Sequence, residues 1–130
     1  MATGLPAATG DILTAATVNG LVAYQSTITD NTSDYTLALT DAYQVLISMN
    51  KATAIALKIP TNAVVAFPVG TVITVLNKGV GTCTISAVTS GTTTVLSAGA
   101  TAASPTLGQY KSAACIKTAT DTWYVVGAIA

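Results

Sequence analysis

The 130-residue chain carries only ten charged residues, five Asp and five Lys, and contains no His, Glu or Arg. It therefore lacks the usual neutral-pH acid–base group and any bidentate clamp for phosphate or carboxylate, and five Lys balanced by five Asp form no basic face for nucleic acid. Mean hydropathy is +0.62, yet the longest apolar stretches, Ala63–Val69 and Tyr124–Ala130, fall far short of the roughly 20 residues a spanning helix needs.

In chain order, Gly4, Pro6 and Gly10 among small residues predict an extended arm over 1–13. Thr14 is placed to cap a short helix in which Val18, Leu21, Val22 and Gln25 recur at i, i+3, i+4 and i+7. Gly20 weakens it by about 1 kcal/mol relative to Ala, so it needs a surface to pack on, in its own domain or on a partner. From residue 33 the period becomes two. Tyr35, Leu37 and Leu39 alternate with Thr36, Ala38 and Thr40, and Val45, Ile47 and Met49 follow in the same way. Ile55, Leu57 and Ile59 make a strand that Pro60 stops, and Thr71–Asn77 is a β-branched run entered through Phe67-Pro68-Val69-Gly70. A turn at Asn77-Lys78-Gly79 and Gly81 leads back into Thr82–Val88, and Ser90-Gly91 marks a hairpin into Thr92–Leu96. Gln109–Thr118, a turn over Ala119–Thr122 and a last strand from Trp123 complete the chain.

About eight short strands with turn signals every ten residues or so predict an all-β fold, an antiparallel sandwich or jelly-roll-like barrel. The expected organisation is an N-terminal attachment arm and short helix over 1–32, then one β-sandwich domain over 33–130. Thr, the most frequent residue at 24 positions, suits this: it is β-branched, and its hydroxyl meets water without charge. Cys83 and Cys115 have no metal-site spacing and are expected to be buried free thiols, although a disulfide is open if their strands are neighbours. Asp30 and Asp34 are the only close carboxylate pair, explained by turn chemistry rather than by catalysis or Ca²⁺ binding. Ten charges over roughly 6,300 Å² of folded surface, about one per 600 Å², predict a protein built into an assembly, the alternative being a monomer whose surface Thr, Ser, Asn and Gln solvate.

Several segments carry a resemblance: Tyr35-x-Leu37-x-Leu39-x-Asp41-Ala42, Ile59-Pro60-x-Asn62, Val65–Ile73, Gly108-Gln109-Tyr110 and Cys115–Gly127. Together they resemble a β-rich module of tailed-bacteriophage structural proteins, of tail-fibre or capsid-decoration type. Thr9–Asn19 is similar to the attachment segments of phage neck and tail proteins. The chain departs from the module at Tyr43, where a small residue is usual, and lacks the Arg often found before the Gly-Gln-Tyr, which puts any intersubunit salt bridge at that point in doubt. The resemblance implies a homotrimeric virion structural protein without cofactor or metal. One such unit with an arm suits a capsid decoration (cement) protein on the outer shell, synthesised in the bacterial cytoplasm and binding the major capsid protein or another virion protein, with no nucleic acid or membrane partner. Ile12, Leu13, Val18, Leu21 and Val22 are the expected partner-binding residues. The alternative is a tail-appendage knob for a glycan receptor, with Tyr110, Trp123 and Tyr124 as ligand-facing aromatics near Asp121. Strand parity places Trp123 and Tyr124 on opposite faces, so at most one of them lies in the core.

Overall fold

Runs of Val, Ile and Thr punctuated by Gly, Pro and Asn become strands along the chain. The computed structural model describes residues 28–98 and 103–129. It contains β1 (Asp30–Asn31), β2 (Tyr35–Thr36), β3 (Ile47–Met49), β4 (Ile55–Ile59), β5 (Val72–Asn77), β6 (Cys83–Ala87), β7 (Thr94–Ser97), β8 (Thr106–Leu107), β9 (Lys111–Ala119) and β10 (Thr122–Gly127). Among the described residues the only helical element is a 3-10 turn, Leu39–Tyr43. It cuts short the strand expected over 35–40, because the Asp41 carboxylate accepts from the Ala38 N–H and the Tyr35 hydroxyl, both at 2.7 Å, and draws the chain into a turn.

From β1 to β9 successive strands alternate between two sheets. One is six-stranded in the order β1-β3-β5-β9-β10-β7, the other four-stranded in the order β2-β4-β6-β8. The chain thus winds, laying one strand on each sheet per coil, and equivalent strands of successive coils pair in parallel: β1 with β3, β3 with β5, β2 with β4 and β4 with β6. Ile47 lies opposite Val75 and Ile55 opposite Cys83, so both sheets advance by the same 28 positions from the second coil to the third. Winding then gives way to antiparallel pairing: β8 against β6, and β9 between β5 and β10. The edge strand β7 runs parallel to β10.

The described residues are all-β as expected, but the pairing is mixed and the antiparallel sandwich or jelly-roll is not what forms. The period-two pattern reports which side chains face inward and is the same for either direction of pairing. The segments around Gly79–Gly81 and Ser90-Gly91, expected to be hairpin turns, are corners that carry the chain to the other sheet. Among the described residues only the turn between β9 and β10 is a hairpin, with Asp121 in the left-handed region at φ 57°. Asp30–Asn31, expected in the arm, is the first strand of the larger sheet.

The corners stack as closely as the strands. A Cβ on Gly79 would fall on the backbone of Lys51 and one on Gly81 on the carbonyl of Thr53, again 28 positions apart. Only glycine permits that approach. Lys78 N–H donates to the Met49 carbonyl (2.7 Å) and Gly81 N–H to that of Lys51 (3.0 Å). Buried Asn77 donates to the carbonyls of Gly81 (2.8 Å) and Leu107 (2.9 Å) and accepts from the Gly79 N–H. Between the sheets, Met49, Leu57, Ile59, Val75, Ile85, Leu107 and Val125 share one core with Trp123, which packs edge-on against Phe67 at 5.5 Å.

Candidate functional site

Alternation fixes what the six-stranded sheet shows to solvent. In β9, Ala113, Cys115 and Lys117 point inward, so Ser112, Ala114, Ile116 and Thr118 point out. In β10, Trp123 and Val125 point inward, leaving Tyr124 and Val126 outside. The registers line these outward residues up across the sheet. Val72, Ile116, Tyr124 and Leu96 form one continuous row from β5 to β7, and Thr74, Ala114 and Val126 form the next. Val72 and Tyr124 are 52% and 44% exposed, Val126 in the next row is 49% exposed, and Ile116 and Leu96 are half-buried, so no other described segment covers the row. Leu96, Ser97 and Ala98 line a shallow depression with Tyr124 and Val126 at its β7 end.

No charged side chain occupies an outward position of β5, β7, β10 or the stretch of β9 from Ser112 to Thr118. Charge enters this sheet at Lys111, the exposed first residue of β9, and at the far edge. There Asp30 accepts from Ser48 (2.6 Å) and Asn50 (3.0 Å) and pairs with Lys78 (3.0 Å). These bonds, Ser48's first, hold the Asp30 carboxyl down at about 2. The outer face of the smaller sheet differs: its rows read Thr36, Lys58, Ser86 and Ala56, Thr84, Thr106. The two faces are thus chemically distinct, one a mixed polar surface and the other an apolar row flanked by hydroxyls.

The remaining β9 cation is internal. Lys117 is 2% exposed, and its ammonium donates to Asn62 Oδ1 (2.6 Å) and the Phe67 carbonyl (2.7 Å). Asp121 joins the same network, Oδ1 accepting from the Asn62 backbone N–H (2.7 Å) and the Thr93 hydroxyl (3.2 Å). Together these pin residues 61–70 onto the sheet, with Phe67 pressed on Trp123.

The sequence-predicted residues separate accordingly. Trp123 is 1% exposed and belongs to the core, whereas Tyr124, its neighbour, is outside, as parity required. Tyr110 is 76% exposed and held at φ 64°, its N–H donating to the Asn77 carbonyl. The three aromatics therefore do not converge on one site. Asp34 caps the Ala56 N–H (2.9 Å), and Asp30 serves the stacked edge, so this carboxylate pair is occupied structurally. Cys83 and Cys115 are buried and free, and burial pushes their thiols up to about 11 and about 12. Ile12, Leu13, Val18, Leu21 and Val22 lie outside the described residues. The apolar row escaped sequence reasoning because it depends on β9 lying between β5 and β10. Its parity signal, outward Ile116, Tyr124 and Val126, was present in the chain.

Comparison with protein-family models, with curated proteins and with solved structures gave no match.

Proposed function

We propose that the protein is a non-enzymatic structural component of a tailed-phage virion that decorates the outer capsid as an oligomer. The observation that carries this reading is the charge-free apolar row Val72–Ile116–Tyr124–Leu96, an open surface in a chain of zero net charge. Exposed apolar patches on a soluble fold mark association surfaces. The resemblance of the 35–73 and 108–127 segments to phage structural modules supplies the setting. In this reading the work is mechanical. The N-terminal residues Ile12, Leu13, Val18, Leu21 and Val22 tether the domain to the major capsid protein, and many weak contacts spread over several copies must fail together before the shell opens. Stacked coils joined by parallel ladders and glycine-tight corners form a body that deforms little under such a load.

Densitometry of purified virions tests the proposal. Copy numbers on the scale of the capsid lattice are expected, and a few copies per particle refute it. That second result would favour a tail-appendage knob, which Tyr110 supports: a bulky residue at positive φ on an exposed turn is costly and belongs to surfaces that use it. Adsorption lost in Tyr110→Ala virions with decoration intact would establish that alternative.

A further inference from the structure

We infer that the outer face of β5, β9, β10 and β7 is where one copy of this chain meets another, through a weak, reversible contact centred on Ile116 and Tyr124. This inference rests on the oligomeric reading above and names its surface. Three observations select a second copy as the occupant.

The first is charge. A partner bearing basic or acidic groups would find nothing on this face to pair with, and would leave its own charges desolvated. The face itself carries apolar side chains and hydroxyls alone, so it can be buried against an identical face without stranding a charge. Net charge is zero, so no long-range repulsion keeps two copies apart.

The second is shape. The row crosses four adjacent strands, and the neighbouring row reads Thr74, Ala114 and Val126, so exposed Tyr124 and Val126 on β10 stand beside small Ala114 on β9. Raised apolar side chains beside small ones interdigitate when two sheets pack at the usual spacing of about 10 Å.

The third is area. Strands about 4.8 Å apart, with six paired residues each on β5, β9 and β10 and four on β7 at about 3.3 Å each, make a footprint of about 350 Å². That is roughly half of the 800 Å² each partner buries in a standard stable interface. Exposed Val69, three residues before β5, and Tyr110, next to the start of β9, adjoin the face without completing it. A contact of this size holds copies together at high local concentration and releases them on dilution, the behaviour suited to subunits added to a pre-existing surface.

Multi-angle light scattering of the full chain over a dilution series provides the test. The mass is expected to exceed 13.0 kDa at high concentration and to fall to 13.0 kDa on dilution. Tyr124→Lys, an outward substitution, should move the dissociation midpoint at least tenfold higher in concentration. Thr84→Lys, on the outer face of the smaller sheet, should leave it unmoved. The near-ultraviolet signal of buried Trp123 checks that each variant is folded, and Val126→Lys replaces Tyr124→Lys if the latter is not. A wild-type chain that stays at 13.0 kDa throughout, or a folded Tyr124→Lys or Val126→Lys variant that associates as the wild type does, overturns the inference. Lattice-scale copy number on virions alongside a Tyr124→Lys chain that still associates would remove this face and leave the decoration reading standing.

Discussion

Replacing Gly81 by alanine tests the stacked-corner geometry. The added methyl would sit 2.8 Å from the Thr53 Cα and closer still to its carbonyl. Ordinary van der Waals contact between carbons lies near 3.5–4.0 Å. The obstacle is backbone in the adjacent coil, so no rotamer change relieves it, and the two corners must move apart. Separation breaks the Gly81 N–H bond to Lys51 (3.0 Å) and disturbs the Asn77 bond to the Gly81 carbonyl (2.8 Å). At about 1 kcal/mol for each bond and about 1–3 kcal/mol for overpacking, the expected loss is about 3–5 kcal/mol. Domains of this kind hold only about 5–15 kcal/mol in all. Thermal denaturation followed by circular dichroism should show the midpoint falling by roughly 12–20 °C, taking about 4 °C per kcal/mol at this chain length. Gly91→Ala is the matched control. Its Cβ would meet open space, and a restricted unfolded chain should leave it neutral or stabilised by up to about 1 kcal/mol. A Gly81→Ala midpoint within about 2 °C of wild type would refute the close stacking.

Lys117→Met keeps the bulk of the side chain but leaves Asn62 Oδ1 and the Phe67 carbonyl without their donor, and urea denaturation should register a loss of about 2–4 kcal/mol; an unchanged midpoint would mean that the ammonium is not what holds residues 61–70. Asp30, held down at about 2 by Ser48, Asn50 and Lys78, binds fewer protons folded than unfolded. Its contribution is present above about pH 4 and is lost as pH falls through about 2. The stability difference between wild type and Asp30→Asn should therefore narrow across that window, and a gap constant with pH would contradict the assignment. The thiols of Cys83 and Cys115, raised to about 11 and about 12 by burial, ionise more readily unfolded, so stability should decline as pH climbs above 9. Neither should react with a disulfide reagent in the native protein near neutral pH, and both should react in urea; rapid native labelling would show that the core is open.

What the sequence disclosed follows from what each signal measures. Alternation in Ile55–Ile59 and Val72–Asn77 reported inward and outward faces correctly, because the pleat imposes a period of two on any strand. It could not report direction, since parallel and antiparallel strands alternate alike. The glycines at 79 and 81 misled for a similar reason. Glycine marks either a left-handed turn or a close backbone approach, and here it marks the approach, to residues 28 positions earlier that no local pattern ties to them. That offset is nearly silent in the amino acids: Ile47 opposes Val75 and Leu57 opposes Ile85, but Met49 opposes Asn77 and Ile59 opposes Ala87. Equivalent positions need only face inward and need not match. Trp123 and Tyr124 show the converse, since parity alone placed them on opposite faces before any pairing was known, and the structure adds that Trp123, expected among the ligand-facing aromatics, is the one inside.

Lys117 connects the core to the apolar outer face. β9 is the central strand of the apolar row, and in a strand each residue has only two directions to point. Had the lysine stood at 116 or 118, its ammonium would project beside Val72 and Tyr124, and burying the face would then require desolvating a cation, at several kcal/mol if unpaired. At 117 the charge points inward, and the fold meets the cost with two short hydrogen bonds, from a loop that Asp121 fixes in place. The same bonds hold Phe67 against Trp123, so the cation that would have spoiled the outer face instead anchors the loop that closes the core. Neutrality of the face and order in the 61–70 loop are thus two consequences of one strand parity. Moving the lysine by one position, as Ile116→Lys with Lys117→Ile, should remove both at once. Self-association would be lost through the new surface charge, and stability through the stranded Asn62 and Phe67 acceptors. A variant that lost stability but still associated with wild-type strength would show that the charge-free face plays no part in bringing copies together.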